Sequence, residues 1–190
     1  MADIQVVLVE DEEQTRVATR AALRAQPGIE VASEATNGET GIVLLESIDV
    51  DVAVVDGSLP DMSISKFAHK MRQVQADSYV IESKLLILVN PGQETDLSAL
   101  FCADADAYCL KQVPIEQLAQ AVRITHTGTL YLDPAIAQIL LTQISQGTLQ
   151  TTANEQVVAT LKAIADGGTA TFPAGANTDL RAWLQQIRQS

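Results

Sequence analysis

The sequence predicts an α/β fold, a doubly wound five-stranded parallel sheet with a small all-α C-terminal extension, and three observations carry that reading. Short β-branched runs alternate with stretches of helical spacing through the first two thirds of the chain. The runs are nearly continuous in apolar residues, as strands covered by helices on both faces are. Beyond Gly128 the strand-like runs stop and only amphipathic stretches remain.

The strand candidates are Ile4–Val9, Ile29–Ala32, Val50–Val55, Leu85–Val89 and Ala107–Leu110. Between them, a helix from about Glu13 to Ala25 repeats Val17, Ala21 and Ala25 four apart, and a second covers Gly38–Ser47. A third sets Ile64, Phe67, Ala68, Met71 and Val74 on one face, and a fourth holds Leu97, Leu100 and Phe101. Pro114 occupies a helix-start position before Ile115, Leu118, Ala119 and Val122. Beyond them, Asp133-Pro134 opens a helix through about Ser145 that ends at Gly147, with Ile136, Ile139 and Leu140 on one side. Thr152–Glu155 matches a capping box for a helix carrying Val158, Leu161 and Ala165 to the Gly167-Gly168 stop. Thr169–Asn177 reads as a loop, and a last helix presents Leu180, Trp183, Leu184 and Ile187. Trp183 at this spacing reads as core. Three short helices bury little alone, so they are expected to pack together, on the sheet domain or on a second subunit, with a partner protein or second subunit as the favoured cover for their apolar faces.

Composition narrows the functional classes. The 190 residues carry a net charge of −12. Residues 1–130 hold 20 acids and 9 bases, and residues 131–190 hold 4 acids and 3 bases. Nucleic-acid affinity comes largely from Lys and Arg meeting phosphates, so neither part has the expected charge for specific DNA binding. No apolar run nears the roughly 20 residues that span a bilayer. The opening MADIQVVLVEDEE lacks the basic flank and cleavage site of a signal peptide, so the expectation is a cytoplasmic protein without a membrane partner. Cys102 and Cys109 read as buried thiols, and His69 and His126 stand apart from them, without zinc-ligand spacing.

In an open parallel sheet the working residues gather beyond the carboxyl ends of the strands. Glu10 and Asp11 follow the first strand, Asp56 ends the third, and Lys111 follows the fifth. Three converging carboxylates repel one another unless a hard dication neutralises them, and Mg²⁺ takes such oxygen ligands. An ammonium opposite the metal can pair with a carboxylate or with a transferred phosphoryl group.

VVLVEDEE (Val6–Glu13), DVAVVDGSLPDM (Asp51–Met62) and ADAYCLKQVP (Ala105–Pro114) together resemble the response-regulator receiver family of two-component phosphorelays, with its flavodoxin-like fold. The resemblance implies that Asp56 is the phosphoacceptor, that Glu10 and Asp11 hold Mg²⁺ with Asp56 and the backbone carbonyl of Ser58, and that Lys111 contacts the phosphoryl group. It places Tyr108 where the family keeps its switch aromatic. It also implies a sensor histidine kinase or phosphotransfer protein as donor, and no enzyme activity beyond the receiver's own phosphoryl chemistry. Three positions depart from the pattern. Val89 stands where a Thr or Ser hydroxyl would bond the phosphoryl group, Asn90 stands where Ala or Gly is usual, and Ile64 replaces a common glycine. The stretch Gln73–Ser83 is longer than usual. The expectation is therefore intact phosphorylation with a weakened relay.

The segment Gly128–Leu141 resembles the linker helix of NarL/FixJ-type regulators, and Val157–Gly167 faintly resembles the first helix of the helix-turn-helix domain that follows it there. The next scaffold helix has no counterpart, and the last helix offers only Arg181 and Arg188 as bases. The division expected is a receiver at 1–127, a linker helix at 128–147 and a degenerate helix-turn-helix region at 148–190. Two readings of the output follow. In one, the tail serves homodimerisation or a protein partner; in the other, the protein is a DNA-binding transcriptional regulator with a shortened helix-turn-helix.

Overall fold

A computed structural model describes residues 2–77, 82–90, 100–101, 103–147, 153–167 and 176–187 of the chain. Its strands are β1 (Ile4–Val9), β2 (Ile29–Ala35), β3 (Val52–Asp56), β4 (Lys84–Val89), β5 (Ala107–Leu110) and β6 (Tyr131–Leu132). They form one parallel sheet in the order β2-β1-β3-β4-β5-β6. The helices are α1 (Glu13–Arg24), α2 (Gly38–Ser47), α3 (Ile64–Asp77), α4 (Ile115–His126), α5 (Pro134–Gln146), α6 (Glu155–Ala165) and α7 (Ala176–Ile187).

Strand alternation divides the core between the two faces of the sheet. Val6, Leu8, Val52, Val54, Leu86, Leu88, Ala107 and Cys109 pack with Leu23 of α1 and Leu118 and Val122 of α4. On the other face, Val7, Val9, Ala53, Val55, Ile87, Val89 and Tyr108 belong to the core that includes Ile42 of α2 and Phe67 of α3. Helix α2 approaches closely because Gly41 lacks a side chain: a Cβ there would lie 2.8 Å from Cγ2 of Val9. Substitution at Gly41 must push α2 off the sheet.

The structure adds β6 to the five expected strands. Tyr131 and Leu132 lie in the stretch expected to lead only into a linker helix, yet they pair with Ala107 and Tyr108 of β5. Asp133 then caps α5 by accepting from the Ala135 N–H, with Pro134 in the first turn. Its other oxygen accepts from the Leu110 N–H and from Gln117. One buried carboxylate thus ties β5, α4 and α5 together.

The apolar faces of the tail are covered within the chain, by the helices themselves and by the sheet domain. Ile136 and Leu140 of α5, Val157, Leu161 and Ile164 of α6, and Leu180, Trp183 and Ile187 of α7 are buried in the same continuous core as Phe101, Tyr108 and Leu132. The three helices pack chiefly on one another, and α5 also packs on β5. Polar contacts close the seam. Arg181 of α7 pairs with Asp106 at 3.0 Å, and Gln185 donates to Asp104 at 3.2 Å. Trp183 is core, as its spacing predicts.

Smaller corrections concern element ends. Asn154 caps α6 through the Val157 N–H, so the cap falls two residues after the Thr152 of the expected box. Helix α7 begins at Ala176, inside the stretch Thr169–Asn177 read as a loop. The second strand runs on to Ala35, and the third is shifted to Val52–Asp56. Gly128, Gly147 and Gly167 adopt the left-handed conformation expected of helix stops. Leu100 and Phe101 are helical, whereas Leu97, Cys102, Thr152, Gly168 and Arg188 lie outside the described residues. Among the described residues, no helix is long and apolar enough to cross a membrane.

Candidate functional site

The parallel topology delivers the chemistry to one edge. β1 and β3 are neighbours, so Glu10 and Asp11 at the end of one meet Asp56 at the end of the other. Lys111 follows β5, two strands away, and its N–H donates to the Val89 carbonyl at 2.9 Å, which fixes it beside the end of β4. From there the ammonium reaches back to Asp56 Oδ2 at 2.8 Å and Glu10 Oε2 at 2.9 Å.

Burial makes this cluster unusual. Glu10 and Asp56 are 0% and 2% exposed, whereas Asp11 is exposed at the mouth. One carboxylate oxygen from each of Glu10, Asp11 and Asp56 lies within 4.8 Å of the others. Burial raises the Glu10 pKa, and the nearby Asp56 charge adds to the rise, against the lowering effect of Lys111. Burial alone would lower the Lys111 pKa, but its bonds to Asp56 and Glu10 outweigh this and raise it. Lys111 is thus held as a cation. With all three acids ionised, one ammonium leaves two negative charges uncompensated.

A small dication fits that remainder. Lys111 directs its hydrogen bond at Glu10 Oε1, 3.2 Å away. Glu10 Oε2 touches the ammonium as a charge contact but is buried without a directed hydrogen bond. Three carboxylates that each bring an oxygen within 4.8 Å of the others, two of them buried, are a donor set suited to Mg²⁺. Asp56 Oδ1 accepts from the Ser58 N–H at 2.9 Å, which orients the carboxylate and draws the loop after β3 under it.

The remaining predicted residues are placed around this core. Val89 is 2% exposed at the end of β4 and has no hydroxyl to offer; Asn90 follows it, half-buried. Tyr108 stands on β5, three residues before Lys111. It is fully buried, edge-on to Phe101 with ring centroids 4.8 Å apart, and its hydroxyl accepts from the Ala105 N–H. Burial pushes its phenol pKa up. The ring that the resemblance places as a switch aromatic is thus buried outright.

Two residues beside the site escaped sequence reasoning. Asp61 accepts from the Gly38 and Glu39 N–H groups with its two oxygens, which fastens the loop after β3 to the start of α2. Arg16 of α1 donates to the backbone carbonyls of Glu10 and Asp11. Its position one turn into the helix was readable, but the direction of its guanidinium was not.

Comparison with known proteins agrees with this geometry. The model of the response regulator receiver domain family matches residues 6–123. The nitrate/nitrite response regulator NarL of Escherichia coli K12 is 27% identical over 135 residues, covering 71% of this chain and 60% of that protein. NarP of the same strain is 31% identical over 136 residues, covering 72% of this chain and 61% of that protein. The chain therefore spans about 60% of the length of these curated relatives. Among solved structures, a LuxR-family two-component response regulator from Aurantimonas sp. SI85-9A1 aligns with TM-score 0.66 at 23% identity, over 75% of this chain and 98% of that one. The response regulator ChrA of a heme-sensing two-component system aligns with TM-score 0.62 at 23% identity, over 98% and 87%. These two likenesses establish the fold.

Proposed function

This chain belongs to the response regulator receiver family, and on that premise we propose that Asp56 accepts a phosphoryl group beside a Mg²⁺ ion held by Glu10, Asp11, Asp56 and the Ser58 carbonyl. The observation that carries the proposal is the Lys111 ammonium held between two buried carboxylates while a third faces them from the mouth. The arrangement has a clear division of labour. An Asp56 oxygen attacks phosphorus, the bond from phosphorus to the donor's nitrogen or oxygen breaks, and the leaving group takes the electron pair and a proton from water. Lys111 then has a new anion within reach to replace its carboxylate partner. Mg²⁺, when bound, supplies positive charge at the phosphoryl oxygens. The donor is a phosphohistidine of a sensor kinase or phosphotransfer protein, or a small phosphodonor.

Supporting the acid assignment is the exposure of Asp11, whose carboxylate can meet an incoming hydrated ion. Calorimetric titration tests it. Wild type should bind Mg²⁺, and Asp11→Ala should bind it markedly more weakly. Equal affinities would remove Asp11 from the site.

For the output, we read residues 1–127 as the receiver and the tail as a module working through protein contacts. Supporting this is the near-neutral charge of residues 131–190 and the engagement of Arg181, one of its three bases, with Asp106. Fluorescence anisotropy with genomic DNA fragments at two salt concentrations tests it. Sub-micromolar, sequence-dependent binding at physiological salt would favour the DNA-binding transcriptional regulator instead.

A further inference from the structure

The β1–α1 connection has to hold two adjacent acids so that both carboxylates face the same point, although only one of them is anchored in the sheet. Glu10 continues the β1 ladder, its N–H donating to the Ala35 carbonyl at 3.0 Å. Asp11 lies past the last strand bond and is exposed. Arg16 spans the gap. Its Nη1 donates to the Glu10 carbonyl at 3.0 Å and to the Asp11 carbonyl at 3.3 Å. The same turn is braced elsewhere: the Glu12 N–H donates to Glu10 Oε1 at 3.3 Å, and the Arg16 N–H donates to the Glu12 carbonyl at 2.9 Å.

We propose that Arg16 is a positioning residue for the acidic pair, holding the carbonyls of Glu10 and Asp11 so that their carboxylates converge on the cation. The proposal rests on the Mg²⁺ reading of the site given above. Fixing two successive carbonyls fixes the peptide planes on both sides of Asp11, and the side chain follows. An arginine does this by design, since its rigid planar head presents several N–H groups to fixed acceptors. Residues that orient metal ligands without touching the metal commonly hold about a 10–100-fold factor in metal affinity.

Charge gives the proposal a distinctive sign. A guanidinium near a dication repels it, so if Arg16 acted only through space, removing it would tighten Mg²⁺ binding. If Arg16 positions the ligands, removing it weakens binding. The two roles predict opposite shifts.

The test is Mg²⁺ titration of the full chain by calorimetry for wild type, Arg16→Ala and Arg16→Lys, with thermal melting in the absence of metal as a check on folding. Arg16→Ala should weaken Mg²⁺ binding by about tenfold. Arg16→Lys keeps the charge and one directed donor, and should recover part of that loss. At saturating Mg²⁺, the rate of phosphorylation by a small phosphodonor should return towards the wild-type value, because the loss lies in ion binding. If Arg16→Ala fails to fold, Arg16→Lys alone decides, with a loss of a few-fold expected and an unchanged affinity contradictory. Equal or tighter Mg²⁺ binding by Arg16→Ala would overturn the proposal. A wild type that binds no Mg²⁺ would instead overturn the metal reading, and this inference with it.

Discussion

Arg181, in the last helix, forms a 3.0 Å ion pair with Asp106, a residue 75 positions earlier and immediately before β5. The pair is partly exposed, so its own contribution is about 0.5–1 kcal/mol. The burial beneath it is larger. Trp183→Ala should cost about 3–5 kcal/mol of tail docking. Hydrogen exchange should then speed up in α5–α7 while β1 and β3 keep their protection. Unchanged exchange in α7 would mean that the tail is not held by this surface.

Val89 sets the second expectation. A phosphoryl group shifts a conformational equilibrium only through contacts that differ between the two states, and a valine offers it no hydrogen bond. Wild type should therefore show a smaller phosphorylation-dependent change in the NMR signals of Tyr108 and Phe101 than Val89→Thr does. The variant should also be less stable when unphosphorylated, by roughly 1–3 kcal/mol, because its buried hydroxyl lacks a partner. A full response in wild type would show that the relay does not need the hydroxyl.

Asp61 supplies the pH dependence. Burial would raise its pKa slightly, but the N–H groups of Glu39 and Gly38 outweigh that and hold the carboxyl below its ordinary range. A depressed carboxylate pKa adds stability that is present above the unfolded value and is lost as pH falls through the folded one. The Asp61→Ala variant should therefore melt lower than wild type near neutral pH, by about 1 kcal/mol or less at this exposed cap. The gap should close below the usual carboxylate range. A gap independent of pH would mean that the carboxylate charge is not what holds α2.

The legible parts of this molecule were those written in local pattern. Runs such as Val50–Val55 and Leu85–Val89 mark buried strands, and the rule for strand ends then brings Glu10, Asp11, Asp56 and Lys111 together from the sequence alone. β6 was invisible because two residues carry no periodicity. The cap of α6 was misplaced because Thr152 and Asn154 are both competent cap residues, and local sequence does not rank them. The contacts that seat the tail and the fold-back of Arg16 were beyond reach for another reason. Helical spacing says which face is apolar, but Arg181 meets Asp106 and Arg16 meets two carbonyls only through tertiary geometry.

Of the acids at this edge of the sheet, Asp56 is the one expected to take the phosphoryl group. Intact-protein mass spectrometry after incubation with Mg²⁺ and a small phosphodonor tests it most directly, run in parallel on wild type and Asp56→Asn. Wild type should gain one phosphoryl mass, lost when Mg²⁺ is chelated, and the variant should gain none. An equal gain in Asp56→Asn, or none in wild type, would contradict it.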